Sequence, residues 1–357
     1  MKIRVLVVDD SLFMRTFITR MLQEDQDIEI VGTAANGVQA VELVKQLRPQ
    51  VVTMDIEMPV MNGLDALKRI MDECPTSVIM LSTLTAEGAD LTVQALQCGA
   101  IDFLKKPANV PTKMLDVKEK LLAKIKMAAH SNVQRSNPVT RRNIPMQSAK
   151  SFAEAPVPAL PIPSNAAKLQ HIVAIGTSTG GPRALEAVLP LFPRDFPHPI
   201  VVVQHMPATF TRSLATRMNM ISNIHVTEAA DGDSLLPGTA YIAPGGLHME
   251  VARHFHNYRV HLHQGPKRNE HRPSVDVLFE SLVPLNTLTK HVVLMTGMGS
   301  DGAIGMQLLK QTGTATTIAE AQSTCVVFGM PRAAIERNCV DYVLPLQNIA
   351  DKIMATC

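Results

Sequence analysis

Residues 3–10 read IRVLVVDD, a short β-favouring run that ends abruptly in two carboxylates, Asp9 and Asp10. Behind it Phe13, Phe17 and Met21 recur at i, i+4 and i+8, the spacing of one helical face. The alternation then repeats. Strand-like runs stand at 28–31, 51–54, 78–81 and 101–104, with helical patterns between them, as in Val38, Val41, Val44 and Leu47. Short unbroken apolar strands alternating with amphipathic helices predict a parallel sheet covered on both faces. Five such units end near residue 127.

Residues 131–165 break the rhythm. Pro138, Pro145, Pro156, Pro158, Pro161 and Pro163 are spaced by Ser, Asn and Gln, a composition suited to a semi-extended tether and not to a core. From residue 168 the α/β pattern resumes. HIVAIG (171–176), IVVVQH (200–205), HVVLMT (291–296) and TATTIA (314–319) read as strands, and PRALEAVLPLF (182–192) as a helix with Pro182 in its first turn. The stretch YIAPGGLHMEVARHFHNYRVHLHQG (241–265) predicts antiparallel excursions with Gly-rich turns, added to a second, mostly parallel sheet. The expected organisation is 1–127, a linker at 128–167, and 168–357.

The 357-residue length suits two domains, and 46% hydrophobic residues suffice for two cores. A net charge of +2 without a basic arm, and no helix-turn-helix in the second block, argue against a nucleic-acid partner. Cys74, Cys98, Cys325, Cys339 and Cys357 are scattered and odd in number. They point to a reducing cytoplasm and away from a disulfide framework or a structural zinc site. MKIRVLVVDD turns acidic too soon for a signal peptide, and no apolar stretch reaches the roughly 18 residues of a membrane span, so the chain is expected not to be membrane-inserted.

In the first block Asp9, Asp10 and Asp55 all sit where strands end, as do Ser82 and Lys106. Ligands of open parallel sheets collect at that edge. Clustered carboxylates favour a hard cation such as Mg²⁺. Asp55 can then act as a nucleophile toward a phosphoryl group, with Ser82 and Lys106 placed to bind its oxygens. The stretches VVDDS, MDIEMPVMNG, MLST and KKP resemble the receiver domains of response regulators. That resemblance implies a flavodoxin-like five-stranded parallel sheet, Asp55 as phospho-acceptor, Asp9, Asp10 and Asp55 as Mg²⁺ ligands, and Ser82 and Lys106 as switch residues. Phe103 falls where receivers often carry a mobile aromatic, and fits a plain core position equally well.

In the second block Gly176-Thr177-Ser178-Thr179-Gly180-Gly181-Pro182 follows a strand and opens a helix, with the form G-x-S-x-G. Small neighbours allow a sharp turn that exposes the Ser178 hydroxyl, and the Thr179 N–H would face a developing oxyanion. Such turns also cradle phosphates. Ser needs a base; His205 ends the next strand. A base needs an orienting acid; Asp301 follows HVVLMT. The order Ser, His, Asp differs from that of α/β-hydrolases. One competitor stands beside this triad: Gly297-Met298-Gly299-Ser300-Asp301-Gly302 is also G-x-G-x-x-G, with Glu320 some distance on, a dinucleotide-binding pattern. A non-catalytic, interaction-only output is another. His254, His256, His261 and His263 alternate in a predicted hairpin, where solvated positions are the plain reading and a metal site the alternative.

GTSTGGP, VVQHMP, YIAPGG, HRPSVDVLF and MTGMGSDG resemble the catalytic domain of the chemotaxis protein-glutamate methylesterases, the CheB family, and the likeness extends through the receiver and tether. It implies a doubly wound α/β catalytic domain, with Ser178 as nucleophile, His205 as general base and acid, and Asp301 as orienting acid. It also implies a Met298 backbone N–H in the oxyanion site and no cofactor in the catalytic domain. The activity implied is hydrolysis of glutamate methyl esters, with deamidation of glutamines, on methyl-accepting chemoreceptors in the cytoplasm. The implied phosphodonor is a histidine kinase.

Overall fold

The computed structural model describes residues 2–82, 85–106, 114–131, 169–255 and 257–357. The proline-rich linker expected at 128–167 lies, from residue 132 onward, outside the described residues, as does His256.

The first block is built on strands β1 (Ile3–Val8), β2 (Ile28–Ala34), β3 (Val51–Asp55), β4 (Ser77–Ser82) and β5 (Asp102–Lys105). They form one parallel sheet in the order β2-β1-β3-β4-β5. Every residue of β3 and β4 is buried, which is what an unbroken apolar run between two helical layers requires. The flanking helices are α1 (Leu12–Gln23), α2 (Gly37–Leu47), α3 (Gly63–Glu73), α4 (Ala86–Gln97) and α5 (Met114–Ala128). Side chains of Ser11, Asn36, Asn62 and Thr85 cap the first four by accepting a backbone N–H three residues on.

The second block contains β6 (His171–Thr177), β7 (Ile200–Gln204), β8 (His225–Glu228), β9 (Thr239–Ile242), β10 (His248–His254), β11 (Asn257–His263), β12 (Thr289–Leu294), β13 (Ala315–Glu320) and β14 (Tyr342–Leu344). Its main sheet has seven strands in the order β14-β13-β12-β6-β7-β9-β8, parallel at every pairing. The expected antiparallel addition to this sheet is therefore corrected. The 241–265 excursion does form an antiparallel pair, β10–β11, but as a separate two-stranded sheet. It buries Met249, Val251, Tyr258 and Val260 against the layer of α8 (Val275–Leu282), so one face suffices to hold it off the main sheet's edge.

Two further helices matter for position: α6 (Gly181–Val188) and α7 (Ala208–Ile221). They carry the packing between blocks. One continuous apolar cluster runs from Ala95, Leu96 and Phe103 in the first block to Leu185, Phe210 and Leu214 in the second. The Phe103 and Phe210 rings stack with centroids 4.6 Å apart.

Candidate active site

Strands β7, β6 and β12 are neighbours in the sheet and parallel, so the turns after them leave the same edge side by side. Ser178 follows β6, His205 follows β7, and Asp301 lies in the loop after β12. Chain order reverses direction about β6, the place at whose strand ends ligands of open α/β sheets collect.

The Ser178 turn is fixed by its backbone. The Ser178 N–H donates to Thr296 O at 3.0 Å, Gly181 N–H donates to Ser178 O at 2.8 Å, and Gln204 Nε2 donates to the same carbonyl at 2.9 Å. Gly180 sits at φ +79°, and a Cβ there would meet Val326 at 2.6 Å. Only glycine takes this left-handed position without strain, and it turns the chain from β6 into α6. Among the described residues, neither the Thr179 nor the Met298 backbone N–H donates a hydrogen bond.

His205 Nε2 and Asp301 Oδ2 are 2.8 Å apart. His205 Nδ1 is buried and has no partner among the described residues. One ring nitrogen is thus committed to a carboxylate while the other is shielded from water and unengaged. The Asp301 carboxylate also accepts from Ser274 Oγ (2.8 Å), Asn269 Nδ2 (2.9 Å) and the Val275 N–H (2.7 Å). Burial opposes its ionisation, but His205, Asn269 and the Val275 N–H overcome that and hold it well below the usual carboxylate range. The ring of His271 lies flat on His205, centroids 3.7 Å apart and planes within 9°. Burial, then the neighbouring His205, lowers His271 to about 4, so it is a neutral face at pH 7.

Sequence reading missed Asn269, His271 and Ser274 as site residues. Two of them stand in HRPSVDVLF, a stretch whose polar members had no strand end to mark them. The dinucleotide alternative fits poorly here. Glu320 is buried and accepts the Thr296 N–H at 2.8 Å beneath the loop, instead of facing an open crevice.

In the first block Asp9, Asp10 and Asp55 each offer an oxygen within 4.8 Å of the others. Lys106 Nζ lies 2.8 Å from Asp9 Oδ2 and 2.6 Å from Asp55 Oδ2. Three clustered hard oxygen donors fit a divalent cation such as Mg²⁺. Burial raises Asp55 to about 6 against the pull of Lys106. Ser82 accepts from Thr92 Oγ1 at 2.7 Å, beside the same strand ends.

The two blocks meet at Asp102, the first residue of β5. Its Oδ2 accepts from Thr179 Oγ1 at 2.7 Å and pairs with Lys124. Of the hairpin histidines, the exposed His261 pairs with Asp231 and the half-buried His263 with Glu250, each at 3.3 Å. Among the described residues no helix is long and apolar enough to cross a membrane.

Two family models match the chain: CheB methylesterase over residues 173–353 and response regulator receiver domain over residues 5–117. The chain is 48% identical over 353 residues to the protein-glutamate methylesterase/protein-glutamine glutaminase of Geobacillus kaustophilus, covering 99% of this chain and 98% of that one. It is equally similar, 48% over 357 residues, to the protein of the same name from Halalkalibacterium halodurans, covering 100% and 99%. Among solved structures, the Thermotoga maritima CheB methylesterase catalytic domain is 43% identical with a TM-score of 0.51, covering 53% of this chain and 99% of that one.

Proposed function

The chain belongs to the CheB methylesterase family, and from that premise we propose that residues 168–357 hydrolyse 5-O-methyl esters of protein glutamates, and deamidate glutamines, under control of a receiver at residues 1–127. The observation that supports this most is the His205–Asp301 bond at 2.8 Å beside a buried, unengaged Nδ1, one strand away from Ser178.

In this reading the Ser178 hydroxyl attacks the γ-carbonyl carbon while His205 Nδ1 takes its proton. Asp301 keeps the Nε2–H in place and stabilises the imidazolium. The carbonyl oxygen becomes an oxyanion that the Thr179 and Met298 N–H groups receive. When the intermediate collapses, His205 returns the proton to the leaving methoxide, and methanol departs; from a glutamine side chain ammonia departs instead. Water, activated by the same imidazole, then hydrolyses the glutamyl-Ser178 ester. Acid–base transfer is worth about 10²–10⁴-fold.

Control follows from the packing. Asp102 and Phe103 of the receiver hold Thr179 and Phe210 of the catalytic block. The unphosphorylated receiver covers the nucleophile turn, and phosphorylation of Asp55 shifts a two-state equilibrium away from that packing. Asp9, Asp10 and Asp55 would hold Mg²⁺, which neutralises charge on the incoming phosphoryl group. Lys106 and Ser82 bind the phosphoryl oxygens and carry the change toward β5. The substrates are methyl-accepting chemoreceptors, the phosphodonor a histidine kinase, and the setting the cytoplasm.

Methanol release from methylated receptor, with and without acetyl phosphate, tests the whole scheme. Acetyl phosphate should stimulate release, and Ser178→Ala should abolish it while the far-ultraviolet spectrum stays unchanged. Retained release in Ser178→Ala would refute the nucleophile.

A further inference from the structure

The opposite edge of the second sheet, at the strand beginnings, holds a group of side chains that the esterase reading leaves unused. His171 opens β6, His198 precedes β7, and Cys357 follows the helix Ile349–Thr356. One ligand atom from each of the three lies within 4.8 Å of the other two. Six residues of β6 separate His171 from Ser178, so this group is roughly 20 Å from the nucleophile.

Behind it stands a fourth residue. His171 Nδ1 is 3.1 Å from Nε2 of His291, which is fully buried in β12. His291 Nδ1 is 3.2 Å from Thr356 Oγ1, and that hydroxyl donates to Lys352 O at 3.0 Å. The proton order follows. Because the Thr356 hydrogen is spent on a carbonyl, its oxygen accepts from His291 Nδ1–H. His291 Nε2 then carries the lone pair and accepts from His171 Nδ1–H. His171 is left with a lone pair on Nε2 and a ring fixed by a hydrogen bond on its other nitrogen. That is the arrangement that orients a metal-ligating histidine.

We propose that His171, His198 and Cys357 form a transition-metal site, selective for Zn²⁺ or a similar borderline ion, with His291 and Thr356 as positioning residues. Two imidazoles and one thiolate are a nitrogen–sulfur set that suits zinc, with the fourth tetrahedral position left to water. A thiol that binds such an ion is deprotonated outright, so Cys357 would coordinate as the thiolate. The site would clamp the helix Ile349–Thr356 to the base of the sheet. It departs from the sequence expectation of a metal-free catalytic block, because the three ligands are scattered through the chain with no recognisable spacing.

Titration of the full chain with Co²⁺, a spectroscopic stand-in for Zn²⁺, tests this. One equivalent should produce a thiolate-to-cobalt charge-transfer band in the near ultraviolet. Cys357→Ser should abolish the band, and His291→Phe should weaken Co²⁺ affinity by about 10–100-fold. Zn²⁺ should raise the unfolding temperature of the wild type by more than that of Cys357→Ser, the difference being the share that does not come from the receiver carboxylates. Hydrolysis of methylated receptor should be the same in Cys357→Ser and in wild type. Binding at the carboxylates of the receiver gives no thiolate band, so it does not mimic the result. Absence of the band in wild type, or a band that survives Cys357→Ser, would overturn the proposal and leave an ordinary hydrogen-bonded histidine cluster.

Discussion

Asp102 of the first block accepts a hydrogen bond of 2.7 Å from the hydroxyl of Thr179 in the second, and Thr179 directly follows Ser178. Asp102 is buried and also pairs with Lys124, so the contact is charge-assisted and shielded from solvent. It lies next to Phe103, whose ring stacks on Phe210. One short strand, β5, therefore joins the vicinity of Lys106 to the turn that presents the nucleophile.

If that contact restrains the enzyme, Asp102→Ala should raise basal esterase activity of the unphosphorylated chain. A hydrogen bond to a charged group is worth about 1.5–3 kcal/mol, so activation of about 10- to 100-fold is expected. Stimulation by acetyl phosphate should shrink correspondingly. Methanol release measured in parallel for both forms decides it; an unchanged basal rate would remove Asp102 from the control mechanism.

Asp301→Asn should lower kcat by about 10³–10⁴-fold with little change in KM, because the amide offers a donor where His205 Nε2–H needs an acceptor. The cost falls on the transition state, where the imidazolium forms. Phosphorylation of Asp55 by acetyl phosphate should be untouched. A loss confined to KM would show that Asp301 serves substrate binding instead.

Gly297 lets the Met298 loop approach the nucleophile turn. A Cβ at this position would lie 2.9 Å from Ser178 Cβ and 2.3 Å from Met330 Sδ. Gly297→Ala should displace the proposed oxyanion donor, and a shift of about 1 Å can cost about 10²-fold. Crystallography or amide exchange of the variant should locate the change at this loop. Full activity in Gly297→Ala would mean that the Met298 N–H contributes little.

His271 sets a pH dependence of stability. Its folded value is about 4, against about 6.5 in an unfolded chain, so protons prefer the unfolded state. Its contribution is complete above about pH 6.5 and drains away as pH falls toward 4. His271→Phe keeps a flat ring on His205 but cannot titrate. Urea unfolding at pH 7 and near pH 4.5 should show a smaller acid loss in the variant, equivalent to about one proton per chain. Equal losses would assign the effect elsewhere.

Much was readable from the chain alone, for a physical reason. Hydrophobic runs of 4–7 residues and helical spacing are local properties, so both parallel sheets, and the strand ends bearing Asp9, Asp55, Ser178, His205 and Asp301, could be read without coordinates. Parallel strands then bring their following turns to one edge whatever their distance in sequence. Three-dimensional packing decided the rest. Asn269 and Ser274 become partners of Asp301 only because the segment before α8 folds back over the strand ends. The β10–β11 hairpin leaves the main sheet because its buried face is satisfied by α8. Asp102 meets Thr179 across 77 residues, and His171 meets His198 and Cys357 across 27 and 186 residues, separations over which no spacing rule operates. Period and turn chemistry are written along the chain; which side chains share a buried space is set by how the layers close on one another.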